Sequence, residues 1–187
     1  VHRNPERAIE RVLQATGLTG SEPVTLQGAT RSLAQWLREE REITRIARPL
    51  LAAVAERSGA DLGELLDARN PAPLEALIAG SQVADVLERW PAGWDAAALV
   101  AALRPVAGRV YSAASSPTAV GDEVHLTVAL VGSDRDRVVA PGAASGFLAA
   151  RGEAAEVAIW IEPNARFRLP ADTTRDIIMI CPGTGVA

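Results

Sequence analysis

The texture of the chain changes at Pro105, and that change limits the fold more than any other feature. Before it, apolar residues recur at helical spacing; after it, they alternate or run continuously with β-branched side chains. Asn4-Pro5 reads as an N-cap followed by proline at the first helical position, Ala8, Ile9, Val12 and Leu13 form the stripe, and Gly17 closes the helix. A short β-like stretch from Pro23 to Leu26 ends in the turn Gln27-Gly28. Leu33, Trp36 and Leu37 predict a short amphipathic helix, and Leu50, Leu51, Val54 and Ala55 another that stops near Gly59. Asp61 with Glu64 fits a capping box, Ser81 a cap before Val83, Val86 and Leu87, and Asp95 a cap before Leu99, Val100 and Leu103. Trp90-Pro91 ends the second of these helices, and Pro105 lies beyond the end of the third. The Arg/Glu-rich stretch 38–48 reads most simply as a solvated helix face.

Beyond Pro105, residues 124–131 alternate as a half-buried strand should, and 157–161 and 177–181 are short apolar runs of strand type. Loops bearing glycine and proline separate them, with one short helical stretch at 145–150. The fold class is therefore α+β, a helical half followed by a β-rich half, with no internal repeat.

The function classes are bounded by composition. The 187 residues are 48% hydrophobic with 15 glycines, which suits a packed fold rather than disorder. No apolar run approaches the roughly 20 residues of a membrane span. No signal-peptide pattern follows Val1, so a cytoplasmic location is the default expectation. A net charge of −4, with arginines spread along the chain, argues against nucleic acid as the main partner. One cysteine, Cys181, excludes an internal disulfide framework and a cysteine-based zinc site. His2 and His125 are too isolated for a metal site or a Ser-His-Asp constellation, and no metal is expected. Trp36, Trp90, Trp94 and Trp160 read as core.

Three groups could carry chemistry. On an extended strand Arg109 and Tyr111 share one face and Ser112 takes the other, unless the strand bends. A guanidinium suits a diphosphate, an aromatic ring suits stacking on a flat heterocycle, and a hydroxyl beside them could bond a redox-active ring nitrogen. Four residues alone fit an ordinary strand with a surface arginine and a packed tyrosine at least as well. Gly142, Ala143, Ala144 and Ser145 are small enough for their amides to approach an anion, although a glycine loop with a serine cap gives the same pattern. Gly183-Thr184-Gly185 follows a predicted strand, which is a weak phosphate signal on its own. Cys181 beside it reads more readily as a small buried hydrophobe than as a reactive thiol.

In this order the segments resemble one family, the NADPH-dependent diflavin reductases. Arg109-Val110-Tyr111-Ser112-Ala113-Ala114-Ser115-Ser116-Pro117 is similar to its RxYSxxSSP flavin motif, and Gly142 to Leu148 to its pyrophosphate loop. Phe167-Arg168-Leu169-Pro170 is similar to its FRLP segment, and Ile178-Met179-Ile180 with Pro182 to Ala187 to the opening of its NADP domain. Glu22-Pro23-Val24-Thr25 and Glu42-Ile43-Thr44 stand as in its connecting domain.

The resemblance implies a mainly helical connecting domain over 1–105, part of an antiparallel FAD-binding β-barrel over 106–174, and the first strand of an NADP-binding α/β domain over 175–187. It implies that Arg109 binds the FAD phosphates, Tyr111 packs on the isoalloxazine, and Ser112 hydrogen-bonds near its N5 as the residue closest to catalysis. Gly142, Ala143, Ala144 and Ser145 would cradle the diphosphate, Thr127, Val128 and Ala129 would pass the flavin edge, and Gly183, Thr184 and Gly185 would meet NADP. The implied reaction is hydride transfer from NADPH to FAD, then single electrons to FMN in a flavodoxin-like partner domain and on to a haem or other metal-centre reductase subunit. The helical half tilts the acceptor toward sulfite reductase, with a haem monooxygenase or a nitrate reductase as alternatives. A reading from another class is a cofactor-free spacer or interaction module.

Cys181 departs from the family, which usually has glycine there, and takes no role. The resemblance further implies that barrel strands precede Val1 and the rest of the NADP domain follows Ala187. On that expectation the chain alone lacks NADPH oxidation and binds FAD weakly or not at all.

Overall fold

A computed structural model describes residues 2–135, 138–152, 155–166 and 168–186. Phe167 and Ala187 of the family-like segments lie outside the described residues.

Helix α1 (Glu6–Thr16) closes on Gly17, whose φ of 70° is the left-handed conformation glycine takes without strain. The expected cap at its start is not made. Pro5 occupies the N-cap position, and the Asn4 side chain is drawn away, donating Nδ2 to the carbonyls of Leu37 at 2.7 Å and Arg41 at 2.5 Å. Strands β1 (Pro23–Leu26) and β2 (Ala29–Ser32) form an antiparallel hairpin. Its two-residue turn is Gln27-Gly28, with φ of 51° and 82°, the positive pair that a tight hairpin turn requires.

Helix α2 (Leu33–Gln35) is capped by Ser32 and runs into a π-turn at Trp36–Glu40, closed by Arg41 N–H donating to the Trp36 carbonyl. The wide turn buries Trp36 and Leu37, and the indole N–H reaches the Val24 carbonyl at 3.0 Å. Next come α3 (Arg48–Ser58), α4 (Gly63–Leu66), α5 (Ala72–Gly80), α6 (Val83–Arg89) and α7 (Ala96–Ala102). Asp95 caps α7 by accepting from Ala98 N–H at 2.8 Å.

The other two expected caps are displaced by one residue. Leu62, not Asp61, stands at the N-cap of α4, and Asp61 instead accepts from Gly63 N–H. Gln82, not Ser81, stands at the N-cap of α6, where Asp85 reaches back to its N–H at 2.7 Å.

The stretch 38–48 is not a solvated helix face. After the π-turn the chain is extended, and Arg41, Glu42, Ile43, Thr44 and Ile46 are buried. Glu42 N–H donates to the Arg104 carbonyl and Val106 N–H to the Glu40 carbonyl, both at 2.9 Å, with Arg41 bridged antiparallel to Pro105. The β-branched residues Ile43, Thr44 and Ile46 suit this extended path better than a helix.

The rest of the described chain holds α8 (Pro117–Val120), the hairpin β3 (Gly132–Arg135) with β4 (Val138–Pro141), α9 (Ala143–Ala149) and a 3₁₀ turn at Gly183–Val186. The architecture is thus mixed helix with small antiparallel hairpins. The predicted strands at 124–131, 157–161 and 177–181 are not laddered among the described residues. Only Leu126 is bridged, to Ala113, and Ala114 N–H donates to the His125 carbonyl. Helix α9 begins two residues before the predicted 145–150 stretch, with Gly142 at its N-cap.

The hydrophobic core belongs to the helical half, running from Ile9 to Leu103. Trp36 and Trp94 are in it, whereas Trp160 is exposed, its indole lying on Gly108 where any Cβ would collide. The apolar runs of the second half face outward, Ile178 being 90% and Ile180 87% exposed, and Cys181 is exposed rather than buried. No helix among the described residues is long and apolar enough to cross a membrane.

This asymmetry sets an expectation for chemical denaturation. Leu51→Ala empties a fully buried site and is expected to cost about 2–5 kcal/mol. Ile178→Ala is expected to stay within about 0.5 kcal/mol. Equal losses from the two would contradict a core confined to the helical half.

Candidate functional site

The segments flanking Pro105 open onto a cleft of about 580 Å³ between the helical half and the residues beyond. Arg109 and Tyr111 line it, as do Thr127, Ala129 and Val131 of the alternating run. Val128, half-buried, is not among the lining residues, as expected where alternate side chains point to opposite faces. Ser112 is exposed and is not in the cleft either. The bridge between Ala113 and Leu126 explains the meeting of these two segments, since it sets the 109–111 and 127–131 stretches side by side.

Gly142, Ala143, Ala144 and Ser145 form the next wall. Gly142 N–H donates to the Val131 carbonyl at 2.7 Å, and Ser145 Oγ accepts from Val131 N–H at 3.1 Å. A Cβ on Gly142 would stand 3.2 Å from the Val131 Cβ and 3.3 Å from Ser145 Oγ, so a larger residue would push this wall apart. The Ser145 hydroxyl is thereby a structural acceptor rather than a helix cap. First-turn amides of a helix have no acceptor within the helix, which leaves those of α9 able to meet an anion. Among the described residues of the tail Thr184 lines the cleft, and Gly183 and Gly185, in the same 3₁₀ turn, do not.

The helical half contributes Thr44, Arg45, Ser81 and Gln82, none of which the sequence marks as site residues. The signal available for the first two was the β-branched run in an Arg-rich stretch, which argues for an extended segment.

Arg109 is the best-anchored polar side chain of the cleft. Its Nη1 donates to the Ala107 carbonyl at 2.7 Å and its Nη2 to Glu42 Oε2 at 3.1 Å. Glu42 is only 7% exposed, and its other oxygen accepts from Thr44 N–H at 2.9 Å and the Thr44 hydroxyl at 2.6 Å. His2 lies in the same field. Burial pushes its pKa down from the ordinary histidine value, the Arg109 charge adds to the drop, and the Glu42 charge partly opposes it.

No family model matches the chain. Sequence relatives do. The sulfite reductase (NADPH) flavoprotein alpha-component of Shewanella sp. (strain MR-4) is 41% identical over 189 residues, covering 98% of this chain and 31% of the relative. That of Serratia proteamaculans (strain 568) is 38% identical over 187 residues, with the same coverage of each chain. That of Klebsiella pneumoniae subsp. pneumoniae is 37% identical over 189 residues, covering 100% of this chain and 31% of the relative.

The chain is homologous to part of these flavoprotein components. It spans about a third of their length. The match runs through both the helical half and the cleft-forming half, so the similarity is not confined to one short motif.

The lowered pKa of His2 has a consequence for stability. Its neutral form is favoured by the fold, so the unfolded chain binds the proton more readily. The contribution is complete above the ordinary value of 6.5 and is lost as pH falls through it toward the lowered folded value. Thermal melts between about pH 8 and pH 5 are expected to show a fall in Tm that His2→Gln reduces. Identical pH profiles for the two chains would contradict the burial argument.

Proposed function

We propose that the chain is the FAD-binding portion of an NADPH-dependent diflavin oxidoreductase that passes electrons from NADPH through FAD to FMN and a metal-centre acceptor, sulfite reductase. One observation carries the reading. Arg109, Tyr111, Thr127, Ala129, the Gly142–Ser145 wall and Thr184, drawn from separate stretches of sequence, converge on a single cleft. The names of the relatives support the flavin, the NADPH and membership, as an alpha-component, of a sulfite reductase. In this reading 1–105 is the connecting domain, 106–174 the FAD-barrel portion and 175–187 the start of the NADP domain. A soluble cytoplasmic enzyme is the corresponding setting.

The residues fit parts of the cofactor. A planar guanidinium held at two points, beside a wall of small residues closely packed at Gly142, suits the two phosphates of a dinucleotide. The half-buried Tyr111 ring suits a flat heterocycle. When bound, FAD supplies the capacity to accept a hydride and release electrons singly. The chain supplies position and charge: Arg109 neutralises phosphate, the Gly142–Ser145 backbone approaches it closely, and Tyr111 covers a ring face. Thr184 adds a hydroxyl to the cleft lining, which in this reading would meet NADP. Ser112, outside the cleft, would reach the flavin only if the 109–112 stretch bent; Gly183 and Gly185 do not line the cleft, and the Gly185 amide donates to the Pro182 carbonyl at 3.0 Å.

A hybrid in which this chain replaces the homologous stretch of the Shewanella component tests the reading. It is expected to bind FAD, and Arg109→Ala is expected to weaken that binding by about 1.5–3 kcal/mol, the scale of a charge-assisted hydrogen bond. Flavin fluorescence during FAD titration reads both. A cooperatively melting hybrid that takes up no flavin, or one whose affinity ignores Arg109→Ala, would overturn it.

A further inference from the structure

We propose that Glu42, a residue of the helical half, is a positioning residue for the flavin site, holding the Arg109 guanidinium in the orientation that receives a diphosphate. The proposal rests on the FAD-binding reading and goes beyond it by assigning the orientation of the phosphate ligand to a carboxylate that does not line the cleft.

A carboxylate 7% exposed is costly unless its lone pairs and charge are met. Thr44 meets one oxygen twice, through N–H and hydroxyl, which fixes the plane of the carboxylate. The second oxygen is left pointing at Arg109 Nη2, 67 residues away in sequence. Arg109 is held in turn at Nη1 by the Ala107 carbonyl. Two fixed points determine the orientation of a planar guanidinium, and its remaining N–H groups are the ones available to the cleft.

Backbone pairing makes the arrangement specific. Glu42 N–H to the Arg104 carbonyl and Val106 N–H to the Glu40 carbonyl align the two segments antiparallel, so Glu42 and Arg109 arrive on the same side. Without Glu42 the guanidinium would keep its charge but be free to leave the cleft for solvent, since its side chain is already 29% exposed.

The isosteric Glu42→Gln separates positioning from packing. The amide oxygen can still accept from Thr44, but its NH₂ would face the Arg109 donors and release them. In the hybrid protein with FAD as probe, Glu42→Gln is expected to weaken binding on the order of tenfold, the scale for groups that orient a ligand-binding side chain. Glu42→Asp is expected to recover part of the loss. In an Arg109→Ala background Glu42→Gln is expected to have no further effect, because it acts only through Arg109. A second measurement uses the 187-residue chain without flavin: the ¹⁵N-labelled Arg109 side-chain signals are expected to be sharp and slow to exchange, and to broaden in Glu42→Gln while the thermal melt remains cooperative.

The two failures are distinguishable. If Arg109→Ala leaves FAD binding unchanged, the phosphate reading falls and this proposal with it. If Arg109→Ala weakens binding and Glu42→Gln does not, or if Glu42→Gln weakens it equally without Arg109, the positioning role alone is overturned.

Discussion

The cleft depends on one part-buried ion pair, Glu42 with Arg109, and on the antiparallel pairing that delivers it. A π-turn rather than an ordinary helix end carries the chain from Trp36 into the extended stretch around Glu42. That stretch pairs with Arg104 to Val106, the residues that leave the last helix of the helical half. Five residues beyond the register pair at Arg104, Arg109 stands over the carboxylate. Scaffold and site are therefore joined by a charge pair that neither half could satisfy alone.

The two halves obtain their order by different means. The helical half buries Leu33, Leu37, Leu50, Leu51, Leu87 and Leu99 almost completely, and hydrophobic transfer suffices to hold it. The second half leaves its β-branched runs exposed and is tied together by local polar contacts. These include Ser145 with Val131, Gly142 with Val131 and Ser115 with His125, while the Trp160 indole lies on Gly108 as a longer-range apolar contact. Such ties set the relative placement of cleft residues without a large apolar core beneath them. Local opening at modest cost is the expected behaviour of segments held this way.

Much of the helical half was legible because its signals are local. Gly17 and Asp95 act within one turn of their own helix, and the tertiary structure leaves them alone. Asn4 failed as a cap because carbonyls from residues 37 and 41 offered its amide better partners, which no window around Asn4 reveals. The 38–48 stretch departs from its sequence expectation for the same reason: its charge suggests solvent, but Glu42 and Arg41 are buried and pair with distant residues. Strand-type runs show which side chains share a face, and Thr127, Ala129 and Val131 do line the cleft together. Whether a run joins a ladder is a non-local matter, and 157–161 and 177–181 are not in a strand ladder among the described residues. Strand alternation puts Arg109 and Tyr111 on one face, and both line the cleft, whereas Ser112 on the other face does not. Glu42, Thr44 and Arg45 could not be found by motif chemistry, since their role comes from the fold bringing them to Arg109 and the cleft.

On the proposed reading, a ligand diphosphate is received by an arginine whose orientation comes from the helical half. A crystal structure of the FAD-loaded hybrid measures this directly. The account predicts diphosphate oxygens within hydrogen-bond distance of the Arg109 guanidinium, with Glu42 still paired to it on the side away from the ligand. A diphosphate seated away from Arg109, or an Arg109 that has left Glu42 to reach it, would contradict the account.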